Sequence, residues 1–452
     1  METPWSPRLR PLTIGLLIVG TAWAFESLAV ATILPEASLE LGGLNLYGWA
    51  FSAFLLANLL TVSIAGSEVD RVGPVIPFSL GILFFIAGLL CASFAPTMPA
   101  LVAARAVQGI GSGFLSAVSF AVIGGAFPDS ARPRMLALMS TAWVIPGLGG
   151  PAVAGIIGEL VGWRWVFAGV IPFPIIAAFI AGPALRRLPP GKGGKPDTQR
   201  FLGSAALAAG LGLLLAGLTQ ETLPLLALLS IVGLVLLGFA LPRVLTPEAL
   251  RVVPGAPAAV LTMILLSIGF FAVEPFIPLL LTELRGGSIA FGGLPLTAAA
   301  MTWTTGSWIV ERKAATANRG VVARIGFLLL AVGVGLIAAV VQPSVPPVVA
   351  LLAWAFAGLG MGLAFTSMQL VTMEQSPPET LGRATSTLQL VHTAAIALAA
   401  GVGGALVAKV SPLSQALLLQ DALAVIALAL GFVAAGRLTP SREERPKAAT
   451  AP

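Results

Sequence analysis

The amino-acid sequence predicts an all-α, polytopic membrane protein, and three observations carry that prediction. Of 452 residues, 57% are hydrophobic and only 10% charged, with a mean hydropathy of +0.97. Ordinary globular domains carry about 25% charged residues. Apolar runs recur along the chain at the length a bilayer demands, since about 20 residues rising 1.5 Å each cross the hydrocarbon core. The basic residues gather on alternate loops, as expected of a multi-pass protein with its positive loops inside.

Fourteen runs qualify, near 12–35, 47–66, 75–96, 98–126, 135–159, 164–185, 201–219, 223–241, 256–282, 290–310, 322–342, 346–373, 384–408 and 413–436. The sixth is interrupted by Pro172, Pro174 and Pro183. The seventh and eighth are separated only by Thr219–Thr222 and read either as a tight hairpin or as one re-entrant unit. With both ends in the cytoplasm, 21 of the 25 Lys and Arg residues lie on that side. Deleting the seventh and eighth runs leaves this parity unchanged, so charge supports an even count. The first run follows Arg8 and Arg10 but is far longer than the 7–15 residues of a signal-peptide core, and is kept as a span.

The excess of six positive charges sits on loops, which points to lipid headgroups and not to nucleic acid. Cys91 is the only cysteine, so no internal disulfide forms. The segment LRRLPPGKGGKPDTQR (185–200) reads as a solvated linker, and SREERPKAATAP (441–452) as a polar tail too poor in apolar residues to fold alone. A weak internal repeat links FESLAVATILPEASLELGG in the first run to VEPFIPLLLTELRGGSIAFGG in the ninth. Halves related in this way place a transported solute between them near mid-depth.

Glu26 lies in the middle of the first run, where an ionised side chain costs about 2.5–3.5 kcal/mol on insertion scales. Two readings are open: a proton or ligand site facing a water-filled cavity, and a structural carboxylate, neutral or paired. Span four presents Arg105, Gln108, Ser112, Ser116 and Ser119 as one polar stripe at helical spacing. Such a stripe faces a cavity or partner helices. Counting 1.5 Å per residue puts Arg105 about 10 Å and Glu26 about 13 Å below the same surface. Glu274 and Asp421 come out near 12 Å on the same count. Three carboxylates and one guanidinium therefore share a layer, as a coupling site or as helix-locking pairs.

Other intramembrane residues are weaker pointers. His392, the only histidine, follows Gln389 in span thirteen and is a candidate proton relay, or a side chain bonded between helices. Trp23, Trp143 and Phe270 are candidates to line an apolar pocket, with lipid-facing or core packing as the alternative. There is no phosphate-binding Walker loop, metal-ligand cluster or Ser/His/Asp arrangement in the sequence. ATP-driven transport within this chain and hydrolase chemistry are disfavoured. No cofactor or metal is expected, and the chain reads as a non-enzyme.

Four stretches then turn this general reading into a specific resemblance. GSEVDRVGP (66–74) resembles the cytoplasmic loop signature of the major facilitator superfamily at Gly66, Asp70, Arg71 and Gly73, although Pro74 and Val75 replace its usual trailing basic pair. Arg105, Gln108 and Gly109 resemble the superfamily's Arg-x-x-Gln-Gly motif, linked there to proton coupling. WVIPGLGGPAVAG (143–155) resembles the antiporter motif at Gly147, Gly150, Pro151 and Gly155, followed by the family-like turn GWRWVF. Glu26 with AVATILP resembles the end of the first span in fourteen-segment drug:proton antiporters, where Asp is commoner. The second half matches in span number and pattern, with a degenerate ERK at 311–313.

The resemblance implies a major facilitator fold with two six-helix bundles plus two additional central helices, 14 spans in all. The expected division is a cytoplasmic N-terminus (1–11), a bundle (12–185), a linker (186–200), two extra helices (201–241), a second bundle (256–436) and a cytoplasmic tail (437–452). It implies a monomeric inner-membrane exporter whose partners are a small-molecule substrate, protons and membrane lipids. Glu26, Arg105, Glu274 and Asp421 are expected to couple protons. Trp23, Gln108, Ser112, Trp143, Phe270, Gln389 and His392 are the cavity candidates. The two glycine-rich motifs are expected to serve gating and helix packing. The rivals are a lipid or metabolite transporter of the same fold and a non-transporting membrane sensor.

Overall fold

A computed structural model describes residues 2–128, 131–189, 193, 198–312, 318–376 and 378–438. Every regular element among the described residues is helical. In chain order they begin α1 (Arg10–Glu40), α2 (Tyr47–Val72), α3 (Val75–Ser93), α4 (Met98–Ala126), α5 (Arg132–Thr141) and α6 (Val144–Val161). Next come α7 (Arg164–Val170), α8 (Pro172–Leu185), α9 (Thr198–Leu218), α10 (Leu223–Val244), α11 (Pro247–Leu250) and α12 (Ala256–Phe271). The last are α13 (Ile277–Leu279), α14 (Ile289–Arg312), α15 (Arg319–Val340), α16 (Val349–Gln375), α17 (Pro378–Lys409) and α18 (Leu413–Ala434).

Among the described residues, thirteen helical stretches are long and apolar enough to cross a membrane, so the chain is a multi-pass membrane protein. The expected count of fourteen is not confirmed by length and hydropathy. The missing one is the tenth expected run, which does form α14, a continuous helix of 24 residues. Thr297, Thr302, Thr304, Thr305, Ser307 and Gly306 lower its hydropathy below that of its neighbours. Glycines on both helices let it lie backbone to backbone on α16: a methyl placed on Gly306 would stand 2.7 Å from the Leu359 carbonyl oxygen, and one on Gly358 2.2 Å from the Ala299 carbonyl oxygen.

Three expected spans are broken, each at proline. The fifth, expected as one run over 135–159, is split into α5 and α6 at Ala142–Trp143. Pro146 explains the split, because its ring clashes with the carbonyl four residues back, at Ala142. Pro172 likewise divides α7 from α8. In the ninth, α12 ends at Phe271, a 3₁₀ turn covers Glu274–Phe276, and a wider turn over Leu280–Leu284 follows α13. Pro275 and Pro278 there remove the amides that would continue the ladder.

The seventh and eighth runs resolve as a hairpin of two full helices. Gly203 faces Arg243, Gly210 faces Leu237 and Gly217 faces Ser230, an antiparallel register. At about 1.5 Å per residue each helix is roughly 32 Å long, which leaves no re-entrant unit. α9 packs on α2 and α17, burying Leu56, Leu59, Leu207, Leu211 and Leu215 in a cluster apart from the main core. α10 packs on α9.

Contacts between residues 1–185 and residues 256–438 gather at the end that holds the Gly42–Leu46 turn. There α6 meets α14, with Gly155 against Ala290 and Gly293 against Pro151. On the other side of the molecule α2 meets α17, with Gly48 against Gly404. Ser52 donates to the Ala397 carbonyl at 2.9 Å, and the Ala290 amide donates to Glu159 at 2.9 Å.

Candidate functional site

The centre of the first half is a buried ion pair. Arg105 on α4 donates through Nη1 to Glu26 on α1, and to Gln108 Oε1 at 2.6 Å. Its Nε donates to the Ala50 carbonyl at 3.0 Å, and its guanidinium lies 4.4 Å from the centre of the Phe54 ring. Glu26, Arg105 and Gln108 are 1%, 2% and 0% exposed, so the pair is sealed in this conformation. Two of its polar atoms, Glu26 Oε2 and Gln108 Nε2, make no close hydrogen bond, although the Gln108 side chain lies within reach of the Glu26 carboxyl. Trp23, one turn earlier on α1, adds an unpartnered indole nitrogen. A buried polar atom without a partner is costly, so this cluster is chemically incomplete as it stands.

Ser112 and Ser119 of the polar stripe are hydrogen-bonded. Asn58 donates to Ser112 at 3.1 Å, and Ser119 donates to the Leu115 carbonyl at 2.7 Å. Glycines admit the close approach that builds the site: a methyl on Gly109 would lie 2.2 Å from the Phe54 carbonyl oxygen, and one on Gly111 2.2 Å from the Phe85 nitrogen.

The glycine run of the 143–155 motif lies where the two halves touch. Gly147 faces Ala300, Gly155 faces Ala290, and Gly150 packs on Phe25 beside Pro151 in α6. Trp143 stands edge-on to Trp23 with ring centres 5.0 Å apart and is 39% exposed. Beyond the Gly147–Ala300 contact, α6 and α14 border a cavity of about 210 Å³ lined by Val144, Leu148, Met301, Thr304, Thr305 and Trp308 among others.

At the loop signature, Gly73 ends α2 with φ +85°, a conformation that glycine adopts without strain. Gly66 has open space around it. Arg71 pairs with Glu68 at 2.6 Å, and this neighbour pushes its guanidinium further above the ordinary value. The Asp70 side chain, expected to work with Arg71, lies outside the described residues.

The expected layer of charges does not assemble in one place. Glu274 sits on the broken segment after α12, half-buried, within reach of the Trp354 indole nitrogen, which makes no close hydrogen bond. Asp421 faces a separate small cavity on α18. Phe270 is sealed between Trp354 and Trp303 at 4.9 and 5.7 Å, so it packs in the core and lines no opening here. Gln389 is exposed. His392 shares a hydrogen bond with Ser267 at 2.8 Å and packs against Phe271 and Phe365.

Sequence reasoning missed Tyr47. Its hydroxyl donates at 2.8 Å to the Pro275 carbonyl in the break, joining the two halves, and its ring packs on Phe276. The available signal was that it is the only tyrosine in the chain. Tyr47→Phe strands a buried carbonyl, and we expect a loss of about 1–3 kcal/mol, read as a lower thermal midpoint in detergent.

The chain is a helical membrane protein with a sealed ion pair in its first half and two halves that touch at the Gly42–Leu46 end. The family model described as Major Facilitator Superfamily matches residues 12–340 and 259–452, and the chain belongs to that superfamily. It is 28% identical over 461 residues to a protein named as a probable multidrug-efflux transporter of Mycobacterium tuberculosis (strain ATCC 25618 / H37Rv), with 97% of each chain covered. It is 26% identical over 376 residues to the multidrug efflux pump SdrM of Staphylococcus aureus (strain N315), covering 81% of this chain and 82% of that one. Among solved structures it resembles a D-xylose–proton symporter with a TM-score of 0.68 at 17% identity, covering 97% and 98% of the two chains. It also resembles a bacterial homologue of the human lysosomal transporter Spinster, inward-facing and unoccupied, with a TM-score of 0.69 at 15% identity over 96% and 100%. At such identities these two likenesses concern the fold.

Proposed function

We propose that the protein is a proton-coupled exporter of small amphipathic, drug-like compounds, working by alternating access in the cytoplasmic membrane with both termini inside. The observation that carries this reading is the Glu26–Arg105 pair, buried at mid-helix with neither Glu26 Oε2 nor Gln108 Nε2 in a close hydrogen bond. A proton or a polar group of the substrate completes it. The kinship with named multidrug efflux proteins supports the substrate class. The loop charges support the orientation: the end holding Gly42–Leu46 is the outer one. The gathering of inter-half contacts there is then an inward-facing arrangement.

On this reading residues 12–185 and 256–436 are the two six-helix bundles, 201–241 the two added helices, and α14 the fourteenth crossing. Glu26 exchanges a proton for substrate while Arg105 holds it in place, and Glu274 is its counterpart in the second half. One elementary charge moved across 100 mV is worth about 2.3 kcal/mol, enough to concentrate substrate roughly fiftyfold. The test is efflux in liposomes under an imposed pH gradient. Glu26→Gln leaves Arg105 without its counter-charge and is expected to lower stability, so its thermal midpoint is measured alongside. In the folded variant gradient-driven transport is expected to be abolished; unchanged coupled transport in that variant would rule Glu26 out as the carrier.

A further inference from the structure

Asp421 and Gln420, adjacent on α18, line a small cavity with Val273, Phe276, Ile277 and Leu280 from the broken segment, Ile337 from α15 and Leu417. None of the lining comes from the first half of the chain. Both polar residues are buried, Gln420 at 2% and Asp421 at 4% exposure, and each has an oxygen with no partner, Gln420 Oε1 and Asp421 Oδ2. The other end of the Gln420 amide is engaged: its nitrogen donates to the Ala272 carbonyl, where α12 breaks. The cavity thus touches the hinge that carries Glu274.

Size and ligand count restrict what this place can hold. Its volume of about 10 Å³ is that of a single water-sized occupant, which excludes a drug-like molecule. The two free groups are both acceptors, so the occupant must bring hydrogen. A hard metal cation takes six or more oxygens, and two are on offer. No group of three or more His, Cys, Asp and Glu residues suited to a metal occurs among the described residues.

Titratable groups on the packed elements are directed elsewhere. Glu274 lies toward Trp354, Arg285 binds the carbonyls of Val340 and Gln342, and His392 bonds Ser267. Lys409 binds the Gln220 carbonyl, and Arg324 the Phe432 carbonyl. Glu283, Arg319 and Arg437 are not among the lining residues, and no charged side chain among those described interacts with the Asp421 carboxyl.

We propose that the Asp421–Gln420 cavity is a second proton site, separate from the Glu26 cluster, that holds one water and acts through Gln420 on the break in the ninth span. With Asp421 ionised, the water donates one hydrogen to Asp421 Oδ2 and one to Gln420 Oε1. When a proton enters, it adds to Oδ2 and the carboxyl becomes a donor to the water; the water, released from the carboxylate and polarised by the incoming O–H, donates more strongly to Gln420 Oε1. The change is passed along the same amide to the Ala272 carbonyl and so to the segment that Tyr47 clasps from the other half. This inference rests on the proton-coupled reading above but does not need Glu26 to be the carrier.

The experiment uses the full chain in nanodiscs without substrate, in a Cys91→Ser background because Cys91 is exposed. Spin labels at exposed Asn45 and Ser344 report the outer separation of the halves as pH is varied, and infrared difference spectra report protonated carboxyls. Wild type and Glu26→Gln are expected to show both a pH-dependent distance shift and a titrating buried-carboxyl band. Asp421→Asn is expected to lose the Asp421 component of that band, leaving the remainder from Glu26 and Glu274, and to lose the shift. Gln420→Leu, which keeps the carboxyl but removes the link, is expected to keep the band and lose the shift. Retention of the full shift in Asp421→Asn overturns the proposal, as does retention of the whole band. Should Asp421→Asn fail to fold, a full shift in Gln420→Leu overturns it. Loss of both signals in Glu26→Gln alone assigns the pH response to Glu26 and also overturns it.

Discussion

Arg105→Met is expected to lower stability by about 3–5 kcal/mol, because it leaves the Glu26 carboxylate buried without its counter-charge. The same change also removes the donor to Gln108 Oε1 and to the Ala50 carbonyl. The paired variant Glu26→Leu with Arg105→Met is expected to recover most of that loss, since apolar side chains of similar volume replace a buried ion pair at little cost. Thermal unfolding in detergent reads both. Transport separates the two readings of the pair. As a coupling site it leaves the double variant stable but inactive under a pH gradient; gradient-driven efflux at the wild-type rate in that variant would mean the pair only locks α1 to α4.

The second large effect is expected at the glycines between the halves. A methyl on Gly155 would lie 2.5 Å from the Ala290 Cα, and one on Gly48 2.5 Å from the Ala400 carbonyl oxygen. Neither can be relieved by turning a side chain. Gly155→Val and Gly48→Val are therefore expected to push the halves apart at the Gly42–Leu46 end, shifting the conformational equilibrium by about 1–3 kcal/mol, or 5–150-fold in population. Spin-label distances across that end measure it. Gly109→Val is the control, because its clash with the Phe54 carbonyl lies within the first half. It is expected to cost stability without moving the equilibrium. An unchanged distance distribution in both interface variants would argue that the halves do not separate there.

Much of the architecture was legible because span length is fixed by the bilayer and read directly from apolar runs. What hydropathy cannot register is a break made inside an apolar stretch. Ala142, Trp143 and Val144 are all apolar, so only Pro146 signalled the division of α5 from α6. In the opposite direction, the threonines of α14 depress hydropathy in a helix that packs normally.

The charged site was legible to the extent that depth decides it. A helix rises by a constant step, so Glu26 and Arg105 could be placed at one level, and they do pair. Asp421 comes out at nearly the same level yet meets neither, because depth says nothing about which side of a helix faces which neighbour. Tyr47 and Gln420 were illegible for another reason. Both serve main-chain carbonyls that become free only where the ninth span unwinds, and that demand has no counterpart in residue spacing.

The placement of α9 makes the molecule lopsided toward the lipid around it. One flank, between α2 and α17, is shuttered by the added hairpin, whose leucines fill it. The opposite flank, between α6 and α14, keeps the cavity of about 210 Å³ bordered by Trp308 and Met301. A hydrophobic solute already dissolved in the membrane therefore meets a wall on one side and an alcove on the other.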